Sequence, residues 1–111
     1  MSSFTKYGID PAIYLEIAKY KAKKAGYDPA LLELSENKKY KLTYAGIDFG
    51  SHPYADFIIY TVLFKIGDNP TYTREYAKMK RSAYLERSGK IKGDWKSDPL
   101  SPNNLARRII W

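Results

Sequence analysis

Apolar residues recur at helical spacing near the start of the chain. Asp10 and Pro11 predict the start of a first helix, because an aspartate caps free N–H groups and proline fits the first turn. Gly26 predicts its end. The apolar face expected to enter the core comprises Tyr14, Ile17, Ala18, Ala22 and Ala25.

Polar and apolar residues alternate in residues 32–35 and again in 41–45, with the polar stretch 36–39 between them. Alternation is typical of strands with one buried face, so this segment predicts a β-hairpin. Gly46 and Gly50 then predict a turn that leaves the second strand.

Residues 57–66 are apolar on almost every side, which is typical of a buried helix. Ser51 is its predicted N-cap, with Pro53 in the first turn and Gly67 at the end. The β-branched residues leave a strand over 57–60 as the alternative.

A long basic helix and a short closing helix complete the predicted elements. In residues 72–87, Tyr72, Tyr76, Met79 and Ala83 share one face, and Arg74, Lys78 and Arg81 share another. After a linker over 88–96, Ser101 or Asn103 can cap a closing helix that Leu105, Ile109 and Trp111 anchor to the core. The prediction is an α+β fold. It is a mostly helical, small single domain over residues 1–111, with a short β-hairpin, a long basic helix and a short docked C-terminal helix.

The charge of the chain is uneven. Its 111 residues carry a net charge of +7; residues 65–111 hold eleven Lys/Arg and five Asp/Glu, or +6, which leaves +1 for residues 1–64. Clustered positive charge indicates a polyanion partner, and a merely solvated basic surface is the alternative.

The absence of cysteine excludes disulfides. With no apolar run long enough for a membrane span and no signal peptide, we expect an intracellular, non-secreted protein.

No motif in the sequence predicts catalysis. Asp48, His52 and Asp56 are spaced by four residues, a pattern that could hold a metal. Gly50 and Pro53 interrupt the segment, so the three side chains need not share a face. We therefore expect no catalytic residue, no metal, no cofactor and no enzyme activity.

Basic residues mixed with aromatic ones are the remaining signal. Cations neutralise phosphates, while an aromatic ring stacks on an unpaired base. Trp95 or Tyr84 would supply the ring; for Trp95 the alternative is that it docks on the core and pins the linker. The predicted nucleic-acid contacts are Arg74, Lys78, Arg81, Arg87, Lys90, Lys92, Trp95, Lys96, Arg107 and Arg108.

Several short segments also resemble a known family. These are 91–96 (Ile-Lys-Gly-Asp-Trp-Lys), 101–106 (Ser-Pro-Asn-Asn-Leu-Ala) with Trp111, and the shorter matches at 7–9, 49–50 and 56–60. Together they are similar to a small protein family that is encoded by large DNA viruses of algae and protists and has no assigned activity. The resemblance implies a viral protein acting in the host cytoplasm, viral factory or nucleus, or in the virion.

The prediction for function is non-catalytic binding of nucleic acid, DNA or RNA, with low sequence specificity. The alternative is a virion structural or assembly protein, or one that binds a host protein through tyrosines, tryptophans and basic surfaces.

Overall fold

The computed structural model describes residues 3–52 and 54–111 of the chain. Within these residues the chain forms five α-helices and a three-stranded antiparallel sheet, so the predicted α+β class is confirmed. None of the described helices is long and apolar enough to cross a membrane. Short 3-10 turns separate some of the elements. In chain order the elements are α1 (Ser3–Tyr7), α2 (Pro11–Lys24), a 3-10 turn (Pro29–Leu31), β1 (Leu32–Leu34), β2 (Tyr40–Tyr44), β3 (Ile47–Ser51), α3 (Phe57–Ile66), α4 (Arg74–Gly89), a 3-10 turn (Asp94–Ser97) and α5 (Pro102–Leu105), which continues as a π-helical turn (Ala106–Ile110).

The sheet contains the predicted hairpin of β1 and β2 and one strand more. The prediction of a turn over residues 46–50 is confirmed for Gly46 but wrong for residues 47–50, which belong to β3 and pair with β2, with Phe49 opposite Leu42. Ala45 and Gly46 make the pairing possible, since both have positive φ angles, 50° and 83°. A tight two-residue hairpin turn requires that conformation.

Helix α3 begins later than the sequence predicts. Ser51 is the last residue of β3 and not the N-cap; Asp56 caps α3 instead, accepting a hydrogen bond from the Ile59 N–H at 3.0 Å. Pro53, predicted in the first turn, lies outside the described residues. The predicted end at Gly67 is confirmed, with φ 75°, and so is the choice of helix over strand.

The core lies between α2, the sheet, α3 and the C-terminal helix. The predicted anchoring by Leu105 and Ile109 is confirmed, since both are fully buried. The prediction that α3 is buried all round is wrong: Ile58 and Ile59 are buried, but Ile66 is 50% exposed. The apolar excess of α3 is therefore shared between the core and a partly exposed outer face.

Helix α4 uses a different face from the predicted one. Met79 is 57% exposed and Ala83 is also exposed, whereas Ala77 and Ser88 are buried. Tyr76 is half-buried, as the pattern predicted. The face of α4 that carries Ala83 borders an open cleft instead of the core.

A buried ion pair lies beneath this cleft. Lys41 Nζ is 2.8 Å from Asp56 Oδ2, and their side chains are 2% and 0% exposed. The Tyr14 hydroxyl donates to the same oxygen at 2.6 Å. One carboxylate thus joins α2, β2 and the start of α3, and each of its partners is a hydrogen-bond donor.

His52 fixes α1 to the end of the sheet. Its Nδ1 accepts a hydrogen bond from the backbone N–H of Ser3 at 3.2 Å and lies 2.8 Å from Ser3 Oγ. The Phe4 ring packs edge-on against the imidazole. A ring nitrogen that accepts cannot carry a proton, so this arrangement requires neutral His52.

Acidification is therefore expected to weaken this attachment. Burial, and then the Lys41 charge, lower the pKa of His52 from its ordinary 6.5. As pH falls through about 6.5, the unfolded chain takes up the proton before the folded chain does, so stability declines until the folded pKa is passed. Urea unfolding from about pH 7.5 to about pH 5.5 should show a steeper decline in the wild type than in His52→Gln. Equal declines would contradict this role.

Candidate functional site: a cleft lined by tyrosines and cations

A cleft of about 870 Å³ opens between α4 and the rest of the domain. Its walls come from α1, β2, β3, the segment before α3, α3 itself, α4 and the C-terminal helix. We call it the tyrosine cleft. Its described lining residues are Lys6, Tyr7, Tyr40, Lys41, Phe49, Gly50, Ser51, Tyr54, Ala55, Tyr60, Lys80, Ala83, Tyr84, Arg87, Pro102, Asn103, Ala106, Ile110 and Trp111.

Gly50 lines the tyrosine cleft where β3 packs closely against the C-terminal helix. Its φ angle is +78°, and a Cβ at this position would lie 3.1 Å from Ile110 Cδ1 and 3.6 Å from Lys41 Cβ. Glycine adopts this backbone conformation without the steric cost that a side chain imposes. The close approach of β3 to the C-terminal helix therefore depends on the missing side chain.

Aromatic rings dominate the cleft. Tyr84 and Trp111 stack nearly parallel, with ring centroids 4.2 Å apart and an interplanar angle of 8°. Tyr60 lies beside Trp111, with 6.4 Å between their centroids. Tyr54 differs from these rings because it is 71% exposed at the edge of the cleft.

Besides Lys41, whose charge is paired with Asp56, three cations line the cleft, and each lies near an aromatic face. Lys6 Nζ is 5.4 Å from the Tyr7 ring centroid, and Arg87 Cζ is 5.9 Å from that of Tyr84. Lys80 is the third and lies against a tyrosine of its own helix. None of the described residues that line the cleft is an aspartate or glutamate. The cleft is therefore suited to a ligand with negative charge.

Tyr60 and Tyr84 stay neutral at physiological pH. Burial raises the pKa of Tyr60 to about 12 and also raises the pKa of Tyr84. These side chains consequently contribute ring surface and O–H groups without adding negative charge. An anionic ligand would meet no repulsion from them.

A second, smaller concave site of about 290 Å³ surrounds Trp95, and we call it the Trp95 pocket. Lys96 Nζ and Arg107 Cζ lie 5.6 and 5.4 Å from the Trp95 ring centroid. The indole N–H of Trp95 donates to the Ile91 carbonyl at 2.7 Å. The pocket is lined by Leu85, Trp95, Lys96, Asn104, Arg107 and Arg108.

The segment that carries Trp95 is held by the start of α5. Asn104 is buried, and its Nδ2 donates to the carbonyls of Trp95 at 2.6 Å and Asp98 at 2.9 Å. Ser101 caps α5, as predicted, by accepting from the Asn104 N–H at 3.2 Å. The Ser-Pro-Asn-Asn segment, residues 101–104, therefore holds the end of the linker over residues 88–96 in place.

Four of the ten predicted contacts come together at the Trp95 pocket: Trp95, Lys96, Arg107 and Arg108. Arg107 also donates to the Leu85 carbonyl at 2.7 Å, which ties it to α4. Of the other six, only Arg87 lines the tyrosine cleft.

The remaining predicted contacts are dispersed over the surface. Arg74 and Arg81 pack over the rings of Phe64 and Phe57 on α3, at 5.5 and 5.8 Å. Lys90 forms an exposed pair with Glu86 at 3.5 Å, a kind of contact that contributes little to stability. The other two are exposed and are Lys78 and Lys92.

The spacing of Asp48, His52 and Asp56 does not produce a joint site. Asp48 accepts from the Ser35 hydroxyl at 2.7 Å, while His52 contacts Ser3 and Asp56 holds Lys41. In residues 3–52 and 54–111 no group of three or more acidic or histidine side chains is arranged to hold a metal.

Sequence reasoning missed most of the tyrosine cleft. Three parts of the cleft are distant along the chain and meet only through the tertiary structure: residues 6–7, Tyr54 and Lys80. The count of 11 tyrosines against 4 phenylalanines was the available signal. It indicated amphipathic boundary positions without indicating which of them share a surface.

The described residues thus form an α+β domain in which two concave sites combine cations with aromatic rings and have no aspartate or glutamate in their lining. Comparison of the chain with models of known protein families, with curated protein sequences and with solved structures finds no match.

Proposed function

We propose that this protein binds nucleic acid without catalysis and with low sequence specificity. The observation that carries the proposal is the composition of the two concave sites. Each combines at least one aromatic ring with lysine or arginine, and neither has an aspartate or glutamate among its described lining residues. Phosphates are attracted by such cations, and bases can stack on such rings.

The charge distribution supports the same proposal. The net charge is +7, and the Trp95 pocket places Lys96, Arg107 and Arg108 around one concavity. Contacts of this kind bind phosphate in any sequence, so affinity should depend strongly on salt. The resemblance to viral proteins adds the proposal that binding takes place in an infected host cell or in the virion.

The test is fluorescence anisotropy with labelled single- and double-stranded DNA and RNA over a series of salt concentrations. Lys80→Gln/Arg87→Gln removes two cations of the tyrosine cleft. We expect the slope of log K against log salt to become shallower by about 0.7 for each lost contact with a single strand. Lys23→Gln/Lys65→Gln is the matched control, because it removes the same charge from exposed positions outside both sites.

Two outcomes would contradict the proposal. The first is an affinity that stays constant between low and high salt. The second is equal loss of binding in the cleft variant and the control, which would mean that net charge alone acts. If no nucleic acid binds at low salt and light scattering shows a mass that rises with concentration, the assembly alternative takes its place.

A further inference from the structure

We infer that the ligand of the tyrosine cleft is a single strand of nucleic acid, held with one unpaired base against Tyr54 and its phosphates on the surrounding cations. This inference rests on the proposed function and goes further by naming the ligand class and the place of the base.

Tyr54 offers a free ring at the edge of the cleft. It is 71% exposed, and no other aromatic ring among residues 3–52 and 54–111 lies against it. Tyr84 and Trp111, by contrast, already stack on each other. A ring with open faces gains contact when a base stacks on it, whereas a ring in an existing stack gains less.

The shape of the cleft selects an unpaired base. It is a concavity of about 870 Å³ between helices and sheet, so its inner rings lie below the surface of the domain. In a duplex each base is covered by its neighbours in the stack. Only a base released from pairing and stacking has a free face for the Tyr54 ring at the edge of this space.

The cations of the cleft are placed to contact more than one phosphate of a strand. Lys6, Lys80 and Arg87 line the cleft together with these rings. They come from α1 and from two turns of α4, so the cations lie on more than one wall. This spread suits the phosphates on either side of a bound base, because successive phosphates of a strand are separated by a nucleotide.

The Trp95 pocket is less suited to a base. It has about a third of the volume, and its ring already has Lys96 and Arg107 within 6 Å of its centroid. It fits a phosphate contact. The base and the additional phosphate would therefore occupy different sites on one domain.

The experiment compares Tyr54→Ala with Tyr20→Ala for binding to a labelled oligothymidylate and to a duplex of the same length. Tyr20 is the matched control, since it is an exposed tyrosine (61%) on α2 that does not line the cleft. Tyr54→Ala should weaken binding of the single strand on the order of 5- to 100-fold, the range of one lost stacking contact. Duplex affinity and the salt slope should not change, and Tyr54→Phe should restore binding.

The outcomes separate this inference from the proposed function. Salt-dependent binding that Tyr54→Ala leaves intact, or that it weakens equally for single strand and duplex, overturns the base site while nucleic-acid binding stands. Absence of salt-dependent binding in the wild type contradicts both the base site and the proposed nucleic-acid binding. A mononucleotide that competes as well as the oligomer would overturn the assignment to a strand. Circular dichroism of each variant checks the fold, which an exposed side chain should not alter.

Discussion

Replacing Asp56 with asparagine is expected to lower the free energy of unfolding by about 3–5 kcal/mol, the cost of leaving a buried charge without its partner. Lys41 lies 2.8 Å from this carboxylate and is only 2% exposed, so water cannot replace the lost anion. Asparagine keeps the shape and an oxygen for the N-cap of α3. The expected loss of stability therefore comes from removing the negative charge and not from losing the N-cap.

The hydrogen bond from Tyr14 adds a second contribution to the expected loss of stability. Burial, reinforced by the charge of Asp56, raises the pKa of Tyr14 well above its ordinary 10.0, so the hydroxyl keeps its proton and donates to Asp56. A neutral amide oxygen accepts this hydrogen bond less strongly than a carboxylate does. The two effects act in the same direction.

Urea unfolding followed by circular dichroism measures the change. Asp48→Asn is the matched control, because Asp48 is only partly buried and its hydrogen bond comes from the neutral Ser35 hydroxyl. The double variant Lys41→Met/Asp56→Asn should recover most of the stability, since neither charge then remains buried. If the double variant is no more stable than Asp56→Asn, the loss does not arise from the stranded lysine.

Replacing Asn104 with alanine is expected to cost about 1–3 kcal/mol and to release the segment around Trp95. The Nδ2 of Asn104 donates to the carbonyls of Trp95 and Asp98, at 2.6 and 2.9 Å, from a side chain that is only 4% exposed. Alanine provides no donor and leaves space beside the linker. The 3-10 turn over Asp94–Ser97 then loses the hydrogen bonds from Asn104 and keeps the longer one that the Ser101 hydroxyl donates to the Trp95 carbonyl at 3.1 Å.

Trypsin provides a local measurement, because Lys96 lies within the released turn. Cleavage after Lys96 should become faster in Asn104→Ala, as local opening exposes the backbone. Asn103→Ala is the matched control: Asn103 is the preceding residue, and it donates one weaker hydrogen bond, to the Ser88 carbonyl at 3.3 Å. Equal cleavage rates in the two variants would contradict the role of Asn104.

Local signals along the chain predicted a large part of the fold. Asp10 precedes Pro11 and caps α2, as the sequence indicated. Such caps depend on neighbouring residues only, so they can be recognised without the tertiary structure. β3 was missed because Ala45 adopts a positive φ angle that a non-glycine residue rarely shows.

The candidate site was less predictable for a physical reason. The Trp95 pocket lies in and around one basic segment, so composition pointed to Trp95 and Lys96. The tyrosine cleft combines Tyr7, Tyr54 and Tyr84, which belong to different elements. Periodicity describes the faces of one element, whereas a cleft depends on how faces of several elements are placed together.

The tyrosine cleft joins residues 6–7 to residues 102–111, which are distant along the chain. Closing so long a loop costs conformational entropy, and that cost is met only when the whole domain folds. A ligand in the cleft therefore binds the native state alone and stabilises it by mass action. The melting temperature of the entire domain thus becomes a direct gauge of occupancy, and a thermal-shift screen can rank ligands without any label.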